Sequence, residues 1–283
     1  MPFNLPAMVK RTGRKRDVTL RPIVPPAAMA TDLAAIYAPA WRIWADSIDR
    51  ILAGYDPQPL PTGDALTLDT ADQVQTAINS VANEFLTILT ARITPALRRW
   101  TITAELRHRS RWSAAVKAGT DLDISMLLSA QEVGETLEVF MARNVALVRN
   151  VSDVTQGKIA DAVFRGYQNR TPVREVAAEI RESVGGSRAR SIRIASHQSS
   201  SLSGTLDLER QAQAGLDKFM WRSSHKKHPR SWHAARDGKV FYLRSRKPVE
   251  GGGDAIPSDD MPSQPPACGC RAQAYIPLLS DIE

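Results

Sequence analysis

Hydrophobic side chains recur at helical spacing along most of this chain, as far as Gly215. The first such segment covers residues 31–52, where apolar positions lie three or four residues apart. Thr31 or Asp32 can cap the start of a helix, because a short polar side chain accepts hydrogen bonds from the first backbone N–H groups. We predict one helix to about Leu52, ended by Gly54, with this apolar stripe: Leu33, Ile36, Tyr37, Trp41, Trp44, Ile48 and Leu52.

The same spacing returns from Asp69 to about Arg109. Pro95 should break or kink this helix, because proline lacks a backbone N–H and its ring clashes with the preceding turn. A further helix should begin after Ser125, with an apolar stripe that reaches Val151. We therefore expect two long helices between residues 69 and 151.

Residues 157–214 also favour helix, in three pieces. The first piece, residues 157–167, leads to a turn at 166–170. Thr171 and Pro172 then give a strong start signal, since threonine caps well and proline is favoured at the first helical position. We predict that this second helix stops at Gly185–Gly186, and that a third helix to Ala214 is weakened by the polar run 196–204.

After Leu216 the pattern changes to short apolar runs typical of strands. Lys218–Trp221 and Val240–Leu243 flank an Asp237-Gly238 pair, a strong cue for a hairpin turn. Residues 274–278 could add a last strand. The expected fold class is therefore α+β, with a helical N-terminal two-thirds and a small C-terminal α+β module that contains a β-hairpin.

Residues 1–30 combine basic side chains with prolines and predict an extended arm, because proline disfavours helix and promotes extended backbone. Such an arm could lie along a partner protein or contact phosphates; the alternative is a mobile terminus. We divide the rest of the chain into a helical domain over residues 31–157, a helical connection over 158–216 and the small module over 217–283.

The charge balance favours a polyanionic neighbour, since 37 Lys and Arg against 30 Asp and Glu give a net charge of +7. A soluble protein that simply carries an excess of arginine is the alternative. A hydrophobic fraction of 43% is that of a folded protein, no apolar run is long enough to span a membrane, and we expect no secretory signal. The candidate DNA contacts are Lys10, Arg11, Arg14, Lys15, Arg16, Lys226 and Lys227.

The two cysteines of the chain, Cys268 and Cys270, follow a segment that holds His225, His228 and His233. Two thiolates with two imidazoles suit tetrahedral zinc, and a metal would stabilise a small, loop-rich module. The candidate structural zinc ligands are thus His228, His233, Cys268 and Cys270. The alternative is that His233 and both thiols are buried, hydrogen-bonded members of a packed module.

The same residues could in principle form a metal-dependent nuclease site, with a histidine as general base. Asp237, however, is explained by its tight turn, since Asp-Gly pairs favour turns for conformational reasons. Asp259 and Asp260 lie in a segment predicted to be an irregular loop. The sequence therefore favours a protein without catalytic activity.

The order of these features resembles the phage head morphogenesis proteins of the Mu protein F-like family, over roughly residues 145–277. Ser196-His197-Gln198 departs from the family, which usually has a Thr-Glu pair there. The residues that carry the resemblance are Arg190, Arg193, Trp221, Arg230, His233, Asp237, Gly238, Cys268, Cys270 and Arg271.

The resemblance implies a minor capsid protein of a tailed bacteriophage, made in the host cytoplasm and incorporated into the virion. The implied partners are the portal protein, the major capsid protein or both. The positive charge of the chain adds packaged DNA, bound without sequence specificity, as a candidate further partner. The resemblance implies no catalytic activity. Two other hypotheses stay open, a sequence-independent DNA-binding protein of packaging or ejection, and a metal-dependent nuclease built on His228, His233 and the cysteines.

Overall fold

The structure is a computed structural model that describes residues 3–57 and 68–278. It confirms the predicted α+β class, with extensive helix and a small antiparallel sheet near the C-terminus. The chain forms two compact units. Unit 1 comprises Met1–Ala30, Thr101–Phe140 and Ser196–Glu283, and unit 2 comprises Thr31–Trp100 and Met141–Ala195.

The helices of the described residues are, in chain order, α1 Leu5–Arg11, α2 Ala27–Tyr37, α3 Pro39–Asp46, α4 Ile48–Leu52, α5 Leu68–Ile88, α6 Thr94–Thr120, α7 Gly134–Asn169, α8 Val173–Gln213 and α9 Ser231–Ala234. A π-helical turn, Leu89–Ile93, joins α5 to α6, and single 3₁₀ turns lie at Ser125–Leu127, Gln131–Val133 and Ser258–Asp260. The strands are β1 Val18–Thr19, β2 Lys218–Arg222, β3 Val240–Tyr242 and β4 Arg271–Ile276.

Unit 2 packs α3, α4, α5 and the adjoining parts of α7 and α8 around an apolar core that includes Trp44, Ile51 and Ile159. Two pairs of buried polar groups link the helices of this unit. The indole Nε1 of Trp44 donates to Ser152 Oγ at 2.9 Å, and Thr155 Oγ1 donates to Ser187 Oγ at 2.7 Å. Each pairing satisfies groups whose burial would otherwise destabilise the helices.

Prolines explain two features of the helices of unit 2, one that departs from the prediction and one that confirms it. The single helix expected over residues 31–52 is three helices, because Pro39 begins α3 and a further helix begins after Ser47. The predicted irregularity at Pro95 is confirmed as the π-helical turn directly before α6. Since Pro95 supplies no N–H to the preceding turn, the hydrogen-bond pattern changes locally while the helix continues.

The predicted stop at Gly185–Gly186 is wrong, because α8 runs without interruption through both glycines and through the polar run at 196–204. That run is polar because much of it is buried against other polar groups. Ser201 Oγ donates to Gln264 Oε1 at 3.2 Å, and Ser203 Oγ donates to the carbonyl of Ile23 at 3.4 Å. Tertiary contacts therefore outweigh the low helix propensity of glycine and serine.

The sheet of unit 1 has the strand order β1-β4-β2-β3, and all its neighbours are antiparallel. The predicted pairing of the strands that flank Asp237-Gly238 is confirmed, with Phe219 opposite Phe241. The connection is longer than a tight hairpin because α9 lies within it. The last predicted strand is confirmed as β4, which begins at Arg271 and pairs with both β1 and β2.

The N-terminal segment differs from the predicted extended arm. Leu5–Arg11 is helical, with Asn4 Oδ1 accepting from the backbone N–H of Ala7. Val18–Thr19 is the edge strand β1, and Leu5, Val9, Leu20 and Ile23 are buried in the core of unit 1. The extended-arm prediction failed because these apolar positions have partners in distant parts of the chain.

The two units interleave in sequence, whereas the predicted domains at 31–157, 158–216 and 217–283 were consecutive. Because α6, α7 and α8 each contribute residues to both units, local composition does not mark the division. Among the helices of residues 3–57 and 68–278, none is both long and apolar enough for a transmembrane span.

Candidate metal centre

Three potential metal ligands meet in the C-terminal module of unit 1. The sulfur atoms of Cys268 and Cys270 each lie 3.6 Å from Nδ1 of His233. One donor atom from each residue lies within 4.8 Å of the other two, and all three side chains are buried. This cluster, called here the His-Cys-Cys cluster, could hold a metal ion.

Local structure brings these residues together. His233 lies on the short helix α9, which begins after Arg230 in extended conformation, and the cysteines directly precede β4. The ring of His233 packs edge-on against Trp221 of β2, with 5.0 Å between ring centroids. Because β2 and β4 are neighbours, the segment before β4 that carries the cysteines lies close to Trp221 of β2, against which the His233 ring packs.

The other ring nitrogen of His233 has a carboxylate partner. Nε2 lies 2.8 Å from Oδ1 of Asp260, and the second carboxylate oxygen of Asp260 lies 2.5 Å from Nη1 of Arg236. Burial acts to raise the pKa of Asp260, but hydrogen bonds from His233, Arg236 and Trp232 together lower it below its usual value. Asp260 is therefore an ionised partner that orients the His233 ring.

The two thiols of the cluster differ in acidity because they interact with each other. A hydrogen bond from Cys270 is the main reason that the pKa of Cys268 falls to about 5; burial opposes this shift, and backbone amides and the charge of His233 support it. The pKa of Cys270 is raised, first by sharing its proton with Cys268 and then by burial. One thiolate therefore forms readily beside His233, and thiolate is the state that binds metals.

The loop that carries the cysteines is anchored by basic side chains. Lys226 Nζ donates to the carbonyl of Ala267 at 2.7 Å, and Arg230 Nη2 donates to the carbonyl of Pro266 at 3.0 Å. Ser263 Oγ donates to the carbonyl of Cys270 at 2.7 Å. Lys226, a candidate DNA contact, thus also has a structural contact within the module.

The structure separates the predicted ligands. His233, Cys268 and Cys270 come together, whereas His228 is exposed and does not belong to the cluster. His225 is also exposed, and its Nε2 lies 3.5 Å from Asp237. Four predicted ligands are thereby reduced to three.

Comparison with known proteins bears directly on this module. Residues 157–273 match the family model of phage Mu protein F like proteins. The predicted resemblance is confirmed over these residues, which we call the Mu F-like region. The His-Cys-Cys cluster and every residue that carried the resemblance lie within it.

A second comparison gives a distant relative. An uncharacterized protein of Haemophilus influenzae (strain ATCC 51907 / DSM 11121 / KW20 / Rd) is 26% identical over 181 residues, which cover 63% of this chain and 38% of that protein. The chain thus spans well under half the length of this relative. No solved structure matches the chain.

Asp237 and Gly238 of the Mu F-like region stabilise the connection from β2 to β3. Asp237 Oδ1 accepts from the backbone N–H of Ser223 at 2.7 Å, and the N–H of Gly238 donates to the carbonyl of Trp221 at 2.8 Å. Gly238 has φ +76°, in the left-handed region that favours glycine. Both residues are explained by backbone geometry, as the sequence predicted.

The arginines of the Mu F-like region differ in environment. Arg271 is buried and donates through Nη1 to the carbonyl of Ser200 at 3.2 Å and to Ser263 Oγ. Burial lowers its pKa, while the negative charge of Asp207 opposes this shift. Arg190 donates to Asn150 Oδ1 at 2.7 Å, and Arg193 is exposed. Arg271 is therefore a buried link between α8 and the loop before β4.

The predicted basic positions of the N-terminal segment, Lys10 to Arg16, are exposed. Arg14 contacts Asp121 through Nη2 at 2.6 Å, which reduces its availability to an external anion. Lys227 is also exposed. Two tryptophans lie among the basic residues of the C-terminal module. Trp221 is buried in the core, whereas 52% of Trp232 is exposed.

Several charged residues with defined partners were missed by sequence reasoning. Asp260 was assigned to an irregular loop, although it pairs with His233. His108 and Asp207, 2.9 Å apart through Nε2 and Oδ1, are both buried. Glu105 and Arg210 form a second buried pair. The helical spacing of the sequence could have indicated the burial of two of these residues. Asp207 and Arg210 occupy the same face of α8 as the buried Leu206.

Proposed function

We propose that this chain is a minor capsid protein of a tailed bacteriophage that acts in head morphogenesis at the portal region. The observation that carries the proposal is the match of residues 157–273 to phage Mu protein F like proteins. Within the matched residues, His233, Asp237 and Arg271 have defined hydrogen-bond partners. The protein is made in the host cytoplasm and becomes part of the virion.

We further propose that the partners are the portal protein and the major capsid protein, with packaged DNA nearby. The net charge of +7 suits a location beside a polyanion. The exposed basic side chains at the N-terminal segment support the same location.

A non-catalytic role is part of the proposal. His233 and both cysteines are buried, with 2%, 5% and 3% of their surfaces exposed, so a phosphodiester could not reach them without a rearrangement. Asp237 is occupied by the turn after β2. We expect the purified chain to leave duplex and single-stranded DNA intact with zinc, magnesium or manganese, and cleavage above a His233→Ala control would contradict this.

The test of the main proposal is the abundance of the chain in purified particles. Quantitative mass spectrometry of phage particles, normalised to the portal and major capsid proteins, should find from a handful to a few dozen copies per particle. The matched sample is particles grown with the gene interrupted. Absence from both procapsids and mature virions would contradict a head component.

Sequence-independent DNA binding is the second candidate function, favoured by the exposed basic segment Lys10–Arg16. Neutralising phosphates releases counterions, so DNA affinity should fall steeply with salt. The logarithm of the DNA-binding constant should fall less steeply with the logarithm of the salt concentration in the triple variant Arg11→Ala, Lys15→Ala and Arg16→Ala. The slope should change by roughly 0.9 for each phosphate that the variant no longer neutralises.

Arg14 is left unchanged in that test because it pairs with Asp121. The matched control removes three exposed charges from unit 2, as Arg143→Ala, Lys158→Ala and Arg181→Ala. An equal change of slope in both triple variants would show that the effect comes from net charge and not from contacts of the N-terminal segment. No binding by the unaltered chain at low salt would remove the candidate function.

Deletion of residues 1–30 would not test docking cleanly, although the basic, proline-containing sequence suggests it. Leu5, Val9 and Leu20 are buried in unit 1, and β1 pairs with β4. The deletion would expose that core and an edge of the sheet. Substitution of exposed side chains keeps the fold and isolates their contacts.

A further inference from the structure

We propose that His233, Cys268 and Cys270 bind one zinc ion, through Nδ1 and the two sulfur atoms. This site is independent of the proposed role in the phage head, and it differs from the four-ligand set suggested by the sequence because His228 does not take part. It rests on donor spacing, on the partner of the histidine ring and on the anchoring of the loop.

The spacing of the donor atoms suits a tetrahedral zinc ion. Zinc–sulfur bonds of about 2.3 Å and zinc–nitrogen bonds of about 2.0 Å, at tetrahedral angles, place nitrogen and sulfur roughly 3.5 Å apart. Both sulfur–Nδ1 distances in the cluster are 3.6 Å. A metal could therefore bind without a large movement of any of the three side chains.

The hydrogen bond of His233 to Asp260 selects the nitrogen that faces the thiols as the metal ligand. With the ring neutral, Nε2 donates its proton to the carboxylate, 2.8 Å away, which leaves the electron pair of Nδ1 directed at the sulfur atoms. Carboxylates commonly hold metal-ligating histidines in this way. Arg236 and Trp232 in turn hold Asp260.

The donor set determines the metal class. Two thiolates and one imidazole favour zinc over magnesium and calcium, which prefer oxygen ligands. Three donors gather in the described part of the chain, so we assign the fourth tetrahedral position to water. Three protein ligands with one water are typical of catalytic zinc sites. Here, however, all three ligands are buried and leave a substrate no access, so we assign the metal a structural role, in which it ties α9 to the loop before β4.

The first experiment measures metal in the full chain, purified without chelators from cells supplied with zinc. We expect close to one zinc per chain by elemental mass spectrometry, and an X-ray absorption spectrum with two sulfur and two nitrogen or oxygen neighbours. Removal of zinc should lower the unfolding temperature, and addition of zinc should restore it.

Variants assign the ligands. His233→Ala, Cys268→Ser and Cys270→Ser should each lose stoichiometric zinc, whereas His225→Ala and His228→Ala should keep it. Asp260→Asn should keep zinc at saturating metal but weaken its affinity roughly 10- to 100-fold, as expected for a group that orients a ligand. Cobalt binding by the unaltered chain tests the cysteine ligands without relying on a variant that must fold. Bound cobalt should show sulfur-to-metal charge-transfer absorption.

Three results would overturn the site. The first is a chain purified without zinc that gains no stability when zinc is added and shows no thiolate-to-metal absorption with cobalt. The second is an X-ray absorption spectrum without two sulfur neighbours. The third is a folded His233→Ala variant that retains zinc. The first result would show that the cluster is a hydrogen-bonded part of the core. The other two would place the metal elsewhere.

Discussion

At the scale of single residues, His233 links several parts of the C-terminal module through one side chain. One ring nitrogen faces the two thiols, the other faces Asp260, and the ring packs against Trp221. These interactions tie α9 to β2, to the loop at 258–260 and to the segment before β4. Removal of the ring would leave the carboxylate and the thiols without their partner.

We expect His233→Ala to lower the free energy of unfolding by about 2–3 kcal/mol, since unpaired polar groups and a cavity would remain in the core. His228→Ala is the matched control, and because its side chain is exposed it should change stability by less than about 0.5 kcal/mol. Urea unfolding measures both. Equal stability of the two variants would show that the cluster does not support the module.

The ion pair of Arg210 and Glu105 should respond differently to single and double substitution. Both side chains are buried, with 0% and 1% exposed. Glu105→Leu alone should destabilise by about 3–5 kcal/mol, because Arg210 would remain buried without its main partner. Glu105→Leu with Arg210→Met should be less destabilising than the sum of the single changes. A double-mutant cycle in urea measures the coupling, and simple additivity would contradict it.

Asp123 should stay ionised at unusually low pH. Hydrogen bonds from Ser125 are the main reason that its pKa falls to about 2, and Lys117 supports the shift. Because the folded pKa lies below the unfolded value of about 3.9, the carboxylate stabilises unit 1 above pH 4. That contribution is lost as the pH falls towards 2.

Carboxyl-detected NMR titration measures the Asp123 pKa directly. Ser125→Ala and Lys117→Met should each raise it, since the serine hydroxyl and the lysine ammonium both hydrogen-bond to the carboxylate. An Asp123 that is half-protonated near pH 4 in the unaltered chain would contradict the structure.

At the scale of elements, helix α8 shows how tertiary contacts override local signals. Gly185 and Gly186 have open space where a Cβ would lie, so they neither end the helix nor allow close packing. At Gly204 a Cβ would lie 2.6 Å from that of Ser263 and 3.1 Å from the carbonyl oxygen of Pro262. One helix therefore contains glycines with opposite roles.

Gly185→Ala and Gly186→Ala should each stabilise the protein by about 0.4–1 kcal/mol, because alanine reduces the freedom of the unfolded chain. Gly204→Ala should destabilise it, because Ser263 must move, and Ser263 also binds the carbonyl of Cys270. Thermal unfolding ranks the three variants. Destabilisation by all three would indicate that α8 is interrupted at Gly185–Gly186.

Prediction from sequence succeeded where the signal was local and failed where it was not. The strands β2, β3 and β4 were found because short apolar runs and the Asp237-Gly238 turn lie close in sequence. Helix α1 and strand β1 were missed because their partners lie more than 200 residues away, as in the pairing of Val18 with Ile276. Charge and prolines alone suggested an extended arm.

Some residues of the candidate metal centre could likewise be predicted from the sequence, and others could not. The cysteines and His233 stood out by residue type, and His228 could not be told apart from them without the fold. Asp260 was missed because its role depends on a contact with His233, 27 residues away in sequence. Spacing cannot report such a contact.

At the scale of the whole molecule, the Mu F-like region covers residues 157–273, and the rest of the chain contributes to both compact units. Unit 1 combines the N-terminal segment with the C-terminal module, so a truncation at either end removes part of the same sheet. The positive charge of the chain and the exposed basic segment support the proposed place beside packaged DNA.

The proposed place at the portal is tested most directly by cross-linking purified procapsids with a lysine-reactive reagent and identifying the linked peptides by mass spectrometry. Exposed lysines such as Lys15 and Lys227 provide the reactive groups. We predict cross-links from this chain to the portal protein, with fewer to the major capsid protein. Procapsids that contain the portal protein but yield no cross-linked or free peptide of this chain would contradict the account.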